Sequence, residues 1–152
     1  NDIRGVEILS SLKNIYAIFL GIVDAKYNSS NTRFMILTKA FSEVRLILKE
    51  LGGSESTLFL SCGFGDLCLT SLNDLSRNRT LGSLIGKEFY NEDYKSNSVI
   101  LEGLNSIKMV YQLVDRKTIV ELPILAKLFD YFSGKIKEIE VNFNDFSDLN
   151  SI

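Results

Sequence analysis

Four polar side chains in this sequence could share one reaction: Lys13, Asp66, Arg77 and Asn78. A lysine, an aspartate, an arginine and an asparagine suffice to reduce a carbonyl carried on a phosphate ester, provided another domain brings the hydride. Ser76-Arg77-Asn78 is the best anion site by chemistry alone. Arginine offers a planar fork that matches phosphate bidentately. The serine and asparagine beside it, at a candidate helix start, add a hydroxyl, an amide and free backbone N–H groups. An exposed polar loop would have the same composition. Lys13 stands one turn before a long apolar run, with Leu9, Ser10, Tyr16 and Ala17 as its helical neighbours. On the residues alone, a lysine snorkelling at a helix end accounts for it well. Asp66 follows Gly63-Phe64-Gly65, and an N-cap would explain an aspartate there. A rigid capped carboxylate could also orient an ammonium. Thr70, one turn on, would face the same side, where a plain helix-face hydroxyl is the simpler account. Arg79 reads as a surface residue or a neighbour of a domain boundary.

Other chemistries are excluded. The 152 residues contain no histidine, which removes Ser-His-Asp and Cys-His mechanisms and the commonest metal ligand, so no metal site is expected. A net charge of −2 argues against a general nucleic-acid binder. Cys62 and Cys68 are spaced unlike a zinc knuckle or a redox pair, and read as two small core residues of a reducing cytoplasm. The longest uncharged runs, such as 14–23, fall short of the roughly 20 residues of a membrane span. The three-glycine dinucleotide fingerprint after a strand is missing; Gly63-Phe64-Gly65 lacks the third glycine and precedes an aspartate.

The elements that must position these groups read as mostly helical. Residues 6–26 are apolar on every side from Ile15 to Val23, the pattern of a buried helix. Residues 32–51 place Phe34, Leu37, Phe41, Val44, Leu48 and Leu51 on one stripe, with Glu43 among the charged residues opposite. Asn31 is the expected N-cap and Gly52 the stop. A short helix is expected after Ser54, a glycine turn at 63–65, an ambiguous stretch at 66–72 and polar irregular chain over 73–98. Helices follow at 99–115, with Ile100, Leu104, Ile107, Tyr111 and Val114 on one face, and from Pro123 to Phe132, closed by Gly134. A last short helix is expected over 135–141. The expected organisation is one all-α domain, 1–141, with a flexible Asn/Asp-rich tail, 142–152.

Several segments, taken in order, resemble a known family. Gly5-Val6-Glu7 running to Leu12-Lys13-Asn14, then Gly63-Phe64-Gly65-Asp66-Leu67 to Thr70, then Ser76-Arg77-Asn78-Arg79, are similar to the substrate domain of NAD(P)-dependent glycerol-3-phosphate dehydrogenase. Ile100-Leu101-Glu102-Gly103 and Glu121-Leu122-Pro123-Ile124 extend the likeness, which spans about residues 3 to 134. Each motif is weak alone; five in family order at these spacings are specific. Where the family usually has small residues before its L-K-N, this chain has Leu9-Ser10-Ser11.

The resemblance implies an all-α helical domain of the 6-phosphogluconate-dehydrogenase-like type with a long buried central helix. It implies that Asn1–Val6 is where a Rossmann domain ends, so that this is the carboxy-terminal half of a longer enzyme. That enzyme interconverts dihydroxyacetone phosphate and glycerol 3-phosphate for glycerophospholipid synthesis. Lys13 would be the catalytic acid/base and Asp66 its catalytic partner. Asn14, Thr70, Ser76, Arg77 and Asn78 would bind substrate, and Arg77, Ile100 and Glu102 would border the cofactor. NAD(P) would be held mainly by the upstream domain, in a cytoplasmic protein compatible with a homodimer. Two other readings stand beside it: a lysine-dependent 2-hydroxyacid or ketopantoate-type reductase, and a non-catalytic helical interaction module.

Overall fold

The computed structural model describes residues 1–90, 98–142, 144 and 146, with the first five residues of the helix that begins at Ser98 described by backbone alone. Helix α1, Ile3–Tyr27, is the axis of the fold, as its all-round apolar run predicts. Every residue from Ile15 to Val23 is buried, so the helix is enclosed on all sides. At about 1.5–3 kcal/mol per large apolar side chain removed from water, this run is a large hydrophobic contribution to the fold. By length and hydropathy α1 could also cross a membrane, but here its apolar faces are covered by the other helices. Asp2 caps it: Oδ1 accepts from the Gly5 N–H at 2.9 Å, while Oδ2 accepts from the Ser54 N–H and the Thr57 hydroxyl. These bonds, the Thr57 hydroxyl first, hold the Asp2 carboxyl below its usual range.

Helix α2, Ser30–Glu50, packs along α1. It starts two residues before the expected position. Ser29, not Asn31, is the N-cap, and its side chain accepts from the Thr32 N–H. The expected stop at Gly52 is present, with a φ of 81° that suits a glycine just past a helix end. The buried face is rotated from the expected stripe: Ile36, Leu37, Ala40, Glu43, Val44, Ile47 and Leu48 point inward, and Phe34 is 56% exposed. Glu43 is therefore a core residue. Its carboxylate accepts from the Tyr16 hydroxyl at 3.0 Å and from the N–H groups of Ile124 and Leu125 at 2.8 and 3.2 Å. It thereby caps α8, Pro123–Phe132, whose first turn has free N–H groups and whose Pro123 needs none. Desolvation pushes Glu43 up to about 7 despite the opposing pull of these three donors.

Between these come α3, Glu55–Leu58, a five-residue π-helical turn, Ser61–Gly65, and α4, Asp66–Leu72. The expected glycine turn at 63–65 is thus a wide helical turn running straight into α4. Helix α5, Arg77–Gly86, occupies a stretch that reads as irregular. Its glycines lower helix propensity but permit the tightest helix contact in the fold. A Cβ on Gly82 would lie 1.9 Å from the Ile18 carbonyl oxygen, and one on Gly21 would lie 2.1 Å from that of Arg79. Backbone meets backbone there, and no larger residue fits.

Helices α6, Ser98–Leu113, and α7, Arg116–Ile119, complete the set with α8. Residues 91–97 of the expected irregular stretch 73–98 lie outside the described residues. The expected helix at 135–141 is absent. Ile139 and Val141 are buried two residues apart, the spacing of extended chain, and Lys26 holds the segment through the Ile139 carbonyl and Glu138. Of the tail, Phe146 sets its ring on Phe19 with centroids 5.8 Å apart. The described residues contain helices and no strand, which makes the domain all-α.

Candidate active site

Lys13 and Asp66 meet. The Lys13 ammonium donates to Asp66 Oδ2 at 2.5 Å, joining segments 53 residues apart. Local packing puts them there. Leu12 is fully buried and Lys13 follows it, at the edge of the α1 core face; Leu67 is buried and Asp66 precedes it at the start of α4. Asp66 is not the N-cap that its sequence context suggests. The π-helical turn leads directly into α4, so its backbone is already helical and its side chain is released toward Lys13. The two side chains are 23% and 33% exposed. A pair this accessible contributes little to stability, at most about 1 kcal/mol. The pair fixes an ammonium while leaving both side chains partly accessible.

Ser76, Arg77 and Asn78 form the start of α5. Ser76 is the N-cap, its hydroxyl accepting from the Arg79 N–H at 3.4 Å. The first N–H groups of a helix have no intrahelical partner and carry the positive end of its dipole. The Arg77 side chain is exposed and has no partner among the described residues. Asn78 is half-buried, and its Oδ1 lies 3.4 Å from where a Cβ on Gly103 would stand, beside the Ile18 side chain. Asn78 therefore lies at the level of Ile18, five residues along α1 from Lys13, an axial offset on the order of 7 Å. A cation, an amide, a hydroxyl and free N–H groups are gathered here, a set whose chemistry would suit an anion.

Of the two readings of Arg79, surface residue or neighbour of a domain boundary, the first does not hold. The Arg79 side chain is 12% exposed. One terminal nitrogen donates to Asp24 Oδ2 at 2.5 Å and to the Ser71 carbonyl at 3.2 Å, and Nε donates to Asp74 at 3.1 Å. Arg33 donates to the same Asp24 at 2.8 Å. Burial works against the Arg79 charge, but the bonds to Asp24 and Asp74 outweigh it and hold the guanidinium above its usual value.

Asn14 and Thr70 are both half-buried and have no side-chain partner among the described residues; Thr70 lies one turn from Asp66 on α4. The side chains of Ile100 and Glu102 lie outside the described residues. Cys62 and Cys68 are free thiols of intermediate burial, less enclosed than core residues, and desolvation raises the Cys68 thiol. Sequence reasoning did not foresee Asp24, or that Arg79 serves it. The only local signal was an aspartate at the end of an apolar run, where a buried charge must find a partner.

A comparison with family models matches residues 2–141 to the NAD-dependent glycerol-3-phosphate dehydrogenase C-terminus. The chain belongs to this family. Two relatives named glycerol-3-phosphate dehydrogenase, NAD(P)+, agree with that. The one from Methanothermobacter thermautotrophicus is 41% identical over 130 residues, covering 84% of this chain and 38% of the relative. The one from Chlorobium chlorochromatii is also 41% identical over 130 residues, covering 85% and 39%. Among solved structures, the glycerol-3-phosphate dehydrogenase of Coxiella burnetii superposes with a TM-score of 0.78 at 31% identity, over 90% of this chain and 42% of that one. The chain thus spans about two fifths of the length of the relatives it matches. As a glycerol-3-phosphate dehydrogenase C-terminal domain, it has an all-α fold in which Lys13 meets Asp66 and α5 opens on Ser76, Arg77 and Asn78.

Proposed function

We propose that this chain is the substrate-binding and catalytic half of an enzyme that interconverts dihydroxyacetone phosphate and sn-glycerol 3-phosphate with NAD(P), supplying glycerophospholipid synthesis in the cytoplasm. The observation that carries the reading is the 2.5 Å contact between Lys13 and Asp66. It supports an ammonium held in place to serve a carbonyl oxygen. In reduction Lys13 gives its proton to that oxygen, and in oxidation the neutral amine takes it back. Asp66 keeps the amine aimed and contacts a substrate hydroxyl. Ser76, Arg77 and Asn78 take the phosphate, with the N–H groups of the α5 start behind them. Asn14 and Thr70 border the substrate.

A nicotinamide, when bound, supplies or accepts the hydride at C2. The residues here fit a shared cofactor: Arg77 is exposed and unpartnered among the described residues, free to reach a second anion. Ile100 and Glu102 belong to the same proposal. The dinucleotide itself would be held by a Rossmann domain. Docking of such a domain is supported by Ile3, Phe59, Leu60, Phe64 and Leu69, each 46% exposed or more despite its size. The division of labour proposed is a catalytic domain over 1–141 followed by a short tail, in an enzyme compatible with a homodimer.

The test is Arg77→Lys in the complete enzyme, this chain continuous with its nucleotide-binding domain. Replacing the fork by a point charge should raise KM for dihydroxyacetone phosphate by about tenfold, since the bidentate geometry is lost while the charge is kept. An unchanged KM would leave Ser76–Asn78 an exposed polar turn. The 152-residue chain alone should show no NAD-dependent turnover.

A further inference from the structure

The two arginines of Ser76-Arg77-Asn78-Arg79 stand in opposite situations. Arg77 is exposed and has no partner among the described residues, whereas Arg79 is nearly enclosed and holds three acceptors. Two of those are carboxylates, on Asp24 and Asp74. Asp74 is three residues from Arg77, and its side chain, 91% exposed, is tied to Arg79 Nε at 3.1 Å. The backbone of Arg79 is fixed as well. Its N–H reaches the Ser76 hydroxyl, and its carbonyl seats against Gly21 with no room for a Cβ between.

We propose that Arg79 is a positioning residue for the anion site: it seats the first turn of α5 on α1 and occupies Asp24 and Asp74, so that neither carboxylate neutralises Arg77. This rests on the reading of Ser76–Asn78 as the phosphate site. Two physical effects act together. A phosphate approaching Arg77 meets a guanidinium whose donors are unused among the described residues, and Asp24 and Asp74, both paired, do not compete for it. Asp24 is doubly served, because Arg33 also donates to it. Asp74 has only Arg79 among the described residues, so it is the carboxylate released when Arg79 is lost. The terminal nitrogen on the Ser71 carbonyl further ties the end of α4 to the start of α5, which links the Asp66 helix to the phosphate helix.

The experiment is steady-state kinetics of the complete enzyme with Arg79→Met, Arg79→Met/Asp74→Asn, Arg79→Lys and Arg77→Lys. Arg79→Met should raise KM for dihydroxyacetone phosphate by about tenfold, with kcat nearly unchanged. Adding Asp74→Asn should restore KM by about threefold, because the released carboxylate that captures Arg77 is gone. Should Arg79→Met not fold, Arg79→Lys carries the same reading, with a smaller rise and the same rescue by Asp74→Asn. A KM that stays near the parent value in the Arg79 variants while Arg77→Lys raises it would overturn the proposal alone. Parallel losses in kcat and both KM values, with no rescue, would also overturn it and leave Arg79 a general structural residue. If Arg77→Lys itself leaves KM unchanged, the phosphate reading falls and this proposal falls with it.

Discussion

Glu43→Gln turns the buried carboxylate of α2 into a measurable stability effect. Glu43 is fully buried, and its carboxylate gathers the Tyr16 hydroxyl and two N–H groups of α8. Desolvation raises it from 4.5 to about 7, so the folded protein binds its proton more tightly than the unfolded chain does. The stability contributed by the neutral acid is fully present below about pH 4.5 and is lost as pH rises through about 7. At about 1.4 kcal/mol per unit, that loss amounts to about 3 kcal/mol. A glutamine mimics the neutral acid: its oxygen can accept from the Ile124 N–H while its amide donates to the Tyr16 oxygen, and both forms give up the bond that Oε2 accepted from the Leu125 N–H. Lys39 is the charged group that opposes the rise, and it is unaltered in the variant. The assay is thermal unfolding of the parent and variant from pH 4.5 to 8.5, read as a difference in Tm so that other titrations cancel. The two should be close near pH 4.5. The variant should then gain with pH, by roughly 10 °C at pH 8.5 at the usual 2–4 °C per kcal/mol for this size. A difference that stays flat, or runs the other way, would refute the reasoning and show that the three donors outweigh desolvation.

Two further outcomes follow from the packing and the site. Gly82→Ala places a methyl 1.9 Å from the Ile18 carbonyl oxygen and must push α5 off α1; urea unfolding should show a loss of about 1–3 kcal/mol or more, the range for overpacked cores. Asp66→Asn should leave stability within about 1 kcal/mol, since the pair is partly exposed, yet lower kcat of the complete enzyme with little change in nucleotide KM. A stability loss well above that with kcat intact would make the pair a structural tether.

Helix α1 was legible because nine successive buried positions leave no polar face to mislead a periodicity argument. Helix α8 was legible from Pro123 at its start and its strong apolar periodicity. Helix α5 was hidden because Gly82 and Gly86 look like loop residues until the helix they press against is known. The same holds for Glu43, a charged residue in a charged stretch: the N–H groups that make its burial tolerable are 81 and 82 residues away. The 135–141 segment misled in the opposite direction, since its apolar residues bury two apart and are held by Lys26 from another helix. The proposed site was read mainly from family motifs, with Ser76-Arg77-Asn78 suggested by chemistry alone. No local pattern relates Lys13 to Asp66, and no feature of Arg79 in sequence distinguishes it from Arg77. Their different fates come from Asp24, which only the folded chain brings near.

The central claim is that Lys13 moves the proton at the substrate carbonyl. Lys13→Met in the complete enzyme tests it directly, by kcat for dihydroxyacetone phosphate reduction and for glycerol 3-phosphate oxidation, alongside Tm. Methionine keeps most of the apolar stem, and the ion pair it removes is partly exposed, so Tm should change little. Both kcat values should fall by about 10²–10⁴-fold, the range for loss of a general acid or base. Near-native kcat in either direction, with only a lower Tm, would contradict the account and leave Lys13 a structural partner of Asp66.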